Sequence, residues 1–397
     1  MEWLSYIIHL WHRPMKKYWP GYENLIHLLI MYDVIIIGAG PAGTTAGYLL
    51  AKSGVSVLLL DRKTFPRKKA CAGGITPKAM NIFPFDISGF VRRTCHEVKI
   101  IRPGNASFVV KADAPLCYIT KRMDLDAYAL DKAAKVGCRF EKIDNIIRLD
   151  QDESGVGLTM LRDGKTEVVR AGYLIGADGA NSKIRRLIGD HGRGIIKLPA
   201  IEADVPVQNA GIYPMTFDFS REIKGYYWMF PRKKHVNIGI FSACSQGSMN
   251  QTLLKQYARE HFNTDILSDI KGYPIATSAG APHPGKNRVL LAGDAAGLAE
   301  PLLGEGIYAA VKSGTLAAQA VEYAFGRKSS GPSDALGWYM QALGGMNLDL
   351  RLYRRCASIL YRYPKWALAL GSFAILNNFF SRGYARGKTL HDMLTPF

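Results

Sequence analysis

The sequence lacks paired cysteines. Its six, Cys71, Cys95, Cys117, Cys138, Cys244 and Cys356, include no C-x-x-C spacing, so neither an iron-sulfur cluster nor a structural zinc site is expected and no metal is implied. Scattered free thiols fit a reducing cytoplasmic compartment. No uninterrupted apolar stretch reaches the roughly 18 residues of a spanning helix. A secretory signal is missing too: the apolar run Trp3 to Trp11 precedes Arg13, Lys16 and Lys17, the reverse of the order such signals need. Met31 directly precedes the first strong strand, so residues 1–30 read either as an over-extended gene start or as a surface-lying anchor. Repeats and low-complexity tracts are absent.

Acidic residues are scarce: 33 Asp plus Glu stand against 51 Lys plus Arg, a net charge of +18. That excess favours an anionic neighbour such as a lipid surface or a phosphorylated substrate, although a functionally silent basic surface is the alternative. Nucleic acid is not expected as a partner, because no zinc-ligand spacing, helix-turn-helix signal or RNA-binding aromatic signature accompanies the charge. With 397 residues, 48% of them hydrophobic, the chain is long enough for about two domains.

The strongest motif begins at Tyr32. An apolar strand opens into Gly38-Ala39-Gly40-Pro41-Ala42-Gly43, a helix follows from Thr44 to Lys52, Gly54 stops it, and Val55 to Leu60 forms a second strand. In this βαβ setting Gly38 makes the tight turn, Gly40 lets a pyrophosphate approach the backbone, and Gly43 lets the helix pack on the sheet. Asp61 ends the second strand, where an acid accepts from a ribose hydroxyl and repels a 2′-phosphate. Two more apolar strands end in Gly/Asp turns, at Gly176-Ala177-Asp178-Gly179 and at Gly293-Asp294-Ala295-Ala296. Asp178 has a second reading, as the cap of the helix that follows Ser182. Gly304 to Ile307 starts an alanine-rich helix to about Tyr323 whose positive end aims at whatever lies over Gly304 to Gly306.

These three strand ends resemble the FAD proteins of the para-hydroxybenzoate hydroxylase superfamily, and the resemblance implies FAD as cofactor. In that superfamily Asp294 would hold the ribityl chain, Asp178 would support the flavin, and Arg122, just before a predicted helix, would meet phosphate or ribityl oxygens. Asn145 would approach the adenine. The segments Cys71-Ala72-Gly73-Gly74-Ile75 and Gly225-Tyr226-Tyr227-Trp228-Met229-Phe230-Pro231 narrow the resemblance to the geranylgeranyl reductase family, over residues 31 to about 360. Such enzymes use reduced FAD to saturate isolated double bonds of polyprenyl chains. The family pattern places a Pro three positions before its Tyr, where Ile223 stands here.

By this resemblance Cys71, Ala72 and Gly74 contact the flavin. The basic Arg67, Lys68 and Lys69 would favour a Cys71 thiolate; an inert small residue under the flavin is the alternative. Tyr226, Trp228 and Phe230 share one face of a strand by period-two spacing and form a substrate wall, unless they are ordinary core. The proton donor is Cys71, Tyr226 or an ordered water. The expected fold is α/β: a Rossmann-like FAD-binding domain (31–92, 121–190 and 284–330), a mixed β-sheet substrate domain (93–120 and 191–283) and a C-terminal helical region (331–397). That last region is basic and holds the apolar stretch Trp366 to Phe380, suited to peripheral contact with the cytoplasmic membrane face or, alternatively, to a helical cap over the flavin domain. NAD(P)H or reduced ferredoxin would supply electrons. Two rival functions share the fold: a flavin monooxygenase or halogenase, and a flavin carrier that passes electrons to quinone.

Overall fold

The computed structural model describes residues 31–191, 194–244, 249–326 and 334–395; the expectations for residues 1–30 lie outside them. Val34, Ile35 and Ile36 have no solvent exposure, as a β-branched run without polar alternation requires, because β1 (Met31–Ile37) is central in a sheet covered on both faces. It pairs in parallel with β2 (Val57–Asp61) on one side and β3 (Lys165–Gly176) on the other. Arg139–Lys142 extends the parallel set beyond β2, and Val289–Leu291 beyond β3. The antiparallel hairpin Asn145–Asp152 with Gly155–Arg162 and the short Gly285–Lys286 complete eight strands. In the parallel register Ile37 lies between Leu60 and Gly176, and Gly176 faces Leu291. The glycine turn after β1 and both Gly/Asp turns therefore emerge on one edge.

Helix α1 (Pro41–Lys52) packs between α2 (Arg122–Lys135) and α3 (Ile307–Gly326). It starts at Pro41 rather than Thr44, since proline suits the first helical turn. Arg122 opens α2 instead of preceding it, Asn145 follows the strand Arg139–Lys142 and opens the next, and β2 begins at Val57. The crossing of α1 and α3 is close at Gly314, where a β-carbon would stand 2.3 Å from the Ala42 carbonyl oxygen.

A seven-stranded sheet roofs this unit. It runs Ser268–Ser278, β4 (Ile195–Pro206), β6 (His235–Ser242), β5 (Gly225–Pro231), Thr216–Asp218, Glu97–Ile101 and Ser107–Lys111. It is mixed, since Glu97–Ile101 pairs in parallel with Thr216–Asp218. A three-stranded sheet, Gly74–Ile75, Cys117–Ile119 and Arg93–Cys95, joins the Cys71–Gly74 segment to the roof. Along β5 the pleat sends Tyr226, Trp228 and Phe230 into one apolar cluster and Tyr227 and Met229 into another beneath the helix Gln251–Phe262.

Beyond the roof, α4 (Gly344–Arg362), α5 (Pro364–Gly371) and α6 (Ala374–Ala385) close the molecule. Leu360, Tyr361, Leu368 and Tyr384 pack against the Tyr226 cluster. Their other side is unusual: Trp366, Leu370 and Phe373 are 76%, 56% and 62% exposed. No helix among the described residues is long and apolar enough to cross a membrane.

Candidate active site

The turn after β1 is built from close backbone approaches. Gly38 has φ +101°, and a β-carbon there would lie 2.4 Å from the Ala177 carbonyl oxygen. A β-carbon on Gly43 would lie 1.9 Å from the Gly38 carbonyl oxygen, so helix and turn touch. Around Gly40 the nearest atom to such a carbon is Arg67 Nη2, at 3.8 Å. The first turn of α1 has no side-chain cap and no acid, which leaves its positive end for an anion. Asp61 accepts from the Ala39 amide at 2.8 Å and the Lys63 amide at 2.9 Å, fixing the carboxylate beside the turn. Asn145 lies near this edge, where the Ile143 amide donates to the Asp61 carbonyl; its side-chain oxygen accepts from Lys183 at 3.0 Å.

Three cations face the same trench. Arg122 is buried and forks onto Asp126 at 2.7 and 2.9 Å. Arg67 approaches Asp126 at 3.5 Å, and its Nε is buried without a hydrogen-bond partner. Lys69 lies over the Tyr273 ring. Its pKa is lowered to about 8 by burial and by the Arg122 charge, with Asp294 opposing. Desolvation raises the pKa of the half-buried Asp294, whose Oδ2 accepts from the Ala276 amide at 3.4 Å. Gly306 comes so close that a β-carbon would lie 3.2 Å from Asp294 Oδ1; Ile307 begins α3 directly after it.

An elongated dinucleotide with a central pyrophosphate fits this arrangement. The orphaned Arg67 Nε and the half-buried Lys69 both call for an anion, and Gly40 leaves room for one. Asp178 follows its second reading: it accepts from Ser182 Oγ at 2.6 Å and from the Lys183 and Ile184 amides, capping the short helix Lys183–Leu187.

The Cys71 segment sits between trench and roof. The Cys71 amide donates to Glu202 Oε1 at 2.9 Å, and the Gly73 amide points at Cys71 Sγ at 3.4 Å. Gly73 has φ +77°, and a β-carbon there would lie 2.2 Å from the Thr120 carbonyl oxygen. Arg232 donates to the Ala72 carbonyl at 2.9 Å and the Cys71 carbonyl at 3.3 Å. Burial raises the Glu202 carboxyl to about 6, opposed by the Cys71 amide and Arg232.

Tyr226, Trp228 and Phe230 are all buried and packed together. Tyr226 Oη donates to the Leu303 carbonyl at 2.5 Å, and burial raises its pKa well above the usual value. Tyr361 of α4 donates to the neighbouring Leu302 carbonyl. Glu300 accepts from the Leu302, Leu303 and Glu305 amides, so the loop before α3 is gripped from within and from α4.

Sequence reasoning did not single out Lys69, Tyr273, Glu202, Asp204, Arg232 or Asn237 as site residues. The basic run before Cys71 was a usable signal for Lys69. The roof residues carry no local motif and meet only through strand register.

The sequence from residue 31 to 322 matches the FAD binding domain family model. A protein of Methanosarcina barkeri described as uncharacterized is 35% identical over 298 residues, 73% of this chain and 74% of the relative. The geranylgeranyl diphosphate reductase of Rhodobacter capsulatus is 30% identical over 318 residues, 76% of this chain and 78% of the relative. The crystal structure of a geranylgeranyl bacteriochlorophyll reductase-like protein from Thermoplasma acidophilum superposes with a TM-score of 0.77 at 21% identity, covering 92% of this chain and 98% of the other. In keeping with its glycine turn, clustered cations and Gly/Asp strand ends, the chain is an FAD-dependent oxidoreductase and belongs to the geranylgeranyl reductase family.

Proposed function

We propose that this enzyme saturates isolated carbon-carbon double bonds of a geranylgeranyl or other polyprenyl chain carried on a lipid or quinone-like head. The observation that carries the reading is the apposition of the aromatic face of β5 to the Cys71–Gly74 segment, with the Phe230 ring against Gly74. An apolar, flexible substrate needs such a wall, and an unactivated alkene reacts only where water is excluded and both carbons are held in place.

Bound and reduced, FAD would supply the hydrogen and electron pair taken up by one alkene carbon. Gly38, Gly40, Gly43, Asp61, Arg67, Lys69, Arg122, Asp294 and Gly306 would hold it. The protein's own residues serve the other carbon, which needs a proton. Tyr226 is poorly placed for that task, because its hydroxyl is committed to the Leu303 carbonyl. Cys71, or a water on the polar side near Glu202, is the better source. Substrate entry requires α4 to α6 to give way, since their side chains close the aromatic cluster.

The exposed Trp366, Leu370 and Phe373, with exposed Arg355, Arg362 and Lys365 beside them, support peripheral contact of this region with the cytoplasmic face of a membrane, where a polyprenyl lipid resides. NAD(P)H or reduced ferredoxin is the proposed electron source. The test is anaerobic: the reduced, FAD-loaded protein is mixed with a geranylgeranyl lipid and flavin absorbance is followed. Reoxidation by the lipid supports the reading. Reoxidation by oxygen alone, with oxygen inserted into product, favours monooxygenase chemistry; reoxidation only by quinone favours an electron carrier.

A further inference from the structure

Antiparallel register lays out a small array on the face of the roof that looks toward Cys71. Trp228 of β5 stands opposite Gly239 of β6, and Gly239 opposite Glu202 of β4. Two residues along, Phe230 stands opposite Asn237, and Asn237 opposite Asp204. Cross-strand partners share a face, and so do residues two apart on a strand; the six positions therefore form two adjacent rows.

The rows are stitched together. The Trp228 ring lies flat across Gly239, where a β-carbon would be 2.0 Å from Cζ2. In that pose its indole N–H donates to Asn237 Oδ1 at 2.8 Å. Asn237 Nδ2 donates to Asp204 Oδ1 at 2.9 Å, and the Asp204 carboxylate pairs with Arg232 Nη1 at 3.3 Å. The other terminal nitrogen of Arg232 holds the Cys71 and Ala72 carbonyls. Arg232 and Asn237 are 8% and 2% exposed, so the chain runs largely out of water, where charge-assisted bonds are strongest.

We propose that Asp204, Arg232 and Asn237 are positioning residues that set Cys71 and Ala72 against the flavin, and that Trp228 couples the apolar wall to that setting. A substrate chain pressing on the Trp228 ring thereby reaches the Cys71 backbone through three side chains. This holds whichever prenyl chain is reduced.

Two variants test it in the FAD-loaded protein. Trp228→Phe keeps an aromatic ring and loses the N–H; Asn237→Leu keeps the size and loses both bonds. Cys71 alkylation by iodoacetamide is read by peptide mass spectrometry, with Cys356, distant in the sequence and part-exposed, as internal reference. The visible flavin spectrum and the separate effects on kcat and KM are read alongside. Cys71 should react faster by about tenfold, the scale of one lost hydrogen bond to a charged chain, with the Cys356 rate unchanged, the flavin band shifted and kcat reduced more than KM is raised. A lower melting temperature with parental Cys71 reactivity and flavin spectrum in Trp228→Phe would overturn the proposal, whether or not Asn237→Leu folds.

Discussion

The Phe230 ring lies against the backbone of Gly74, so closely that a β-carbon on residue 74 would stand 2.8 Å from Phe230 Cε2 and 3.2 Å from Cys117 Sγ. Two segments far apart in sequence thus share one packed surface. Gly74→Ala should cost about 1–3 kcal/mol through overpacking, read as a lower melting temperature of the FAD-loaded protein. Adding Phe230→Leu should recover part of the loss. Equal melting temperatures for parent and Gly74→Ala would contradict the contact.

Gly40 and Gly43 should behave differently although both belong to one motif. Gly43→Ala would force a methyl to 1.9 Å from the Gly38 carbonyl oxygen, so the turn must move. This variant should lose stability and FAD together, although alanine is favoured over glycine in a helix by about 1 kcal/mol. Gly40→Ala meets only Arg67 at 3.8 Å and should fold normally while binding FAD at least about tenfold more weakly, since the methyl occupies the phosphate approach. FAD titration and thermal melts of both variants separate the two roles.

Glu202 gives a pH dependence with a defined sign. Its folded pKa of about 6 lies above the 4.5 of a free glutamate, burial being the main cause. The folded state therefore holds this proton more tightly than the unfolded chain does. Its contribution to stability is full below the unfolded pKa and is lost as pH rises through about 6. Glu202→Gln does not titrate. Between about pH 4 and pH 7 the variant should gain on the order of 2 kcal/mol relative to the parent, measured by urea unfolding; a constant difference would contradict the assignment.

Cys71 and Tyr226 should separate as well. Tyr226→Phe orphans the buried Leu303 carbonyl and should cost about 1–3 kcal/mol of stability, with turnover close to the parental rate. Cys71→Ala should retain FAD and slow turnover by about a hundredfold if the thiol donates the proton. Parental rates in both variants would assign the proton to water.

Trp366→Ser and Phe373→Ser change residues that are 76% and 62% exposed, so the melting temperature should hold. Binding to vesicles containing anionic phospholipid should fall by about tenfold or more for the pair, measured by sedimentation. Unchanged binding would contradict the proposed membrane contact of this region.

The parts of this site that could be read in the sequence are those where one local segment carries the whole constraint. The βαβ glycines announce themselves because turn, phosphate approach and helix packing occupy six consecutive residues, and the alternation of Tyr226, Trp228 and Phe230 is the strand period itself. Asp178 showed both possible roles in the sequence, and only the structure assigns it to Ser182 and the following amides. Glu202, Asp204, Arg232 and Asn237 were hidden because their meaning depends on which residue lies opposite which. A one-residue slip of β6 would turn Asn237 to the other face. Lys69 read in the sequence only as one of three charges beside Cys71, and its place over the Tyr273 ring, near Asp294, depends on a strand far away in the chain.

The most direct measurement is mass spectrometry of the products after anaerobic turnover of the reduced, FAD-loaded enzyme with a panel of geranylgeranyl lipids. The account predicts products heavier than substrate by whole pairs of hydrogen atoms, with no oxygen gained and with the gain diminished in Trp228→Phe. Substrates recovered unchanged in mass across the panel, while the flavin is reoxidised by another acceptor, would contradict it.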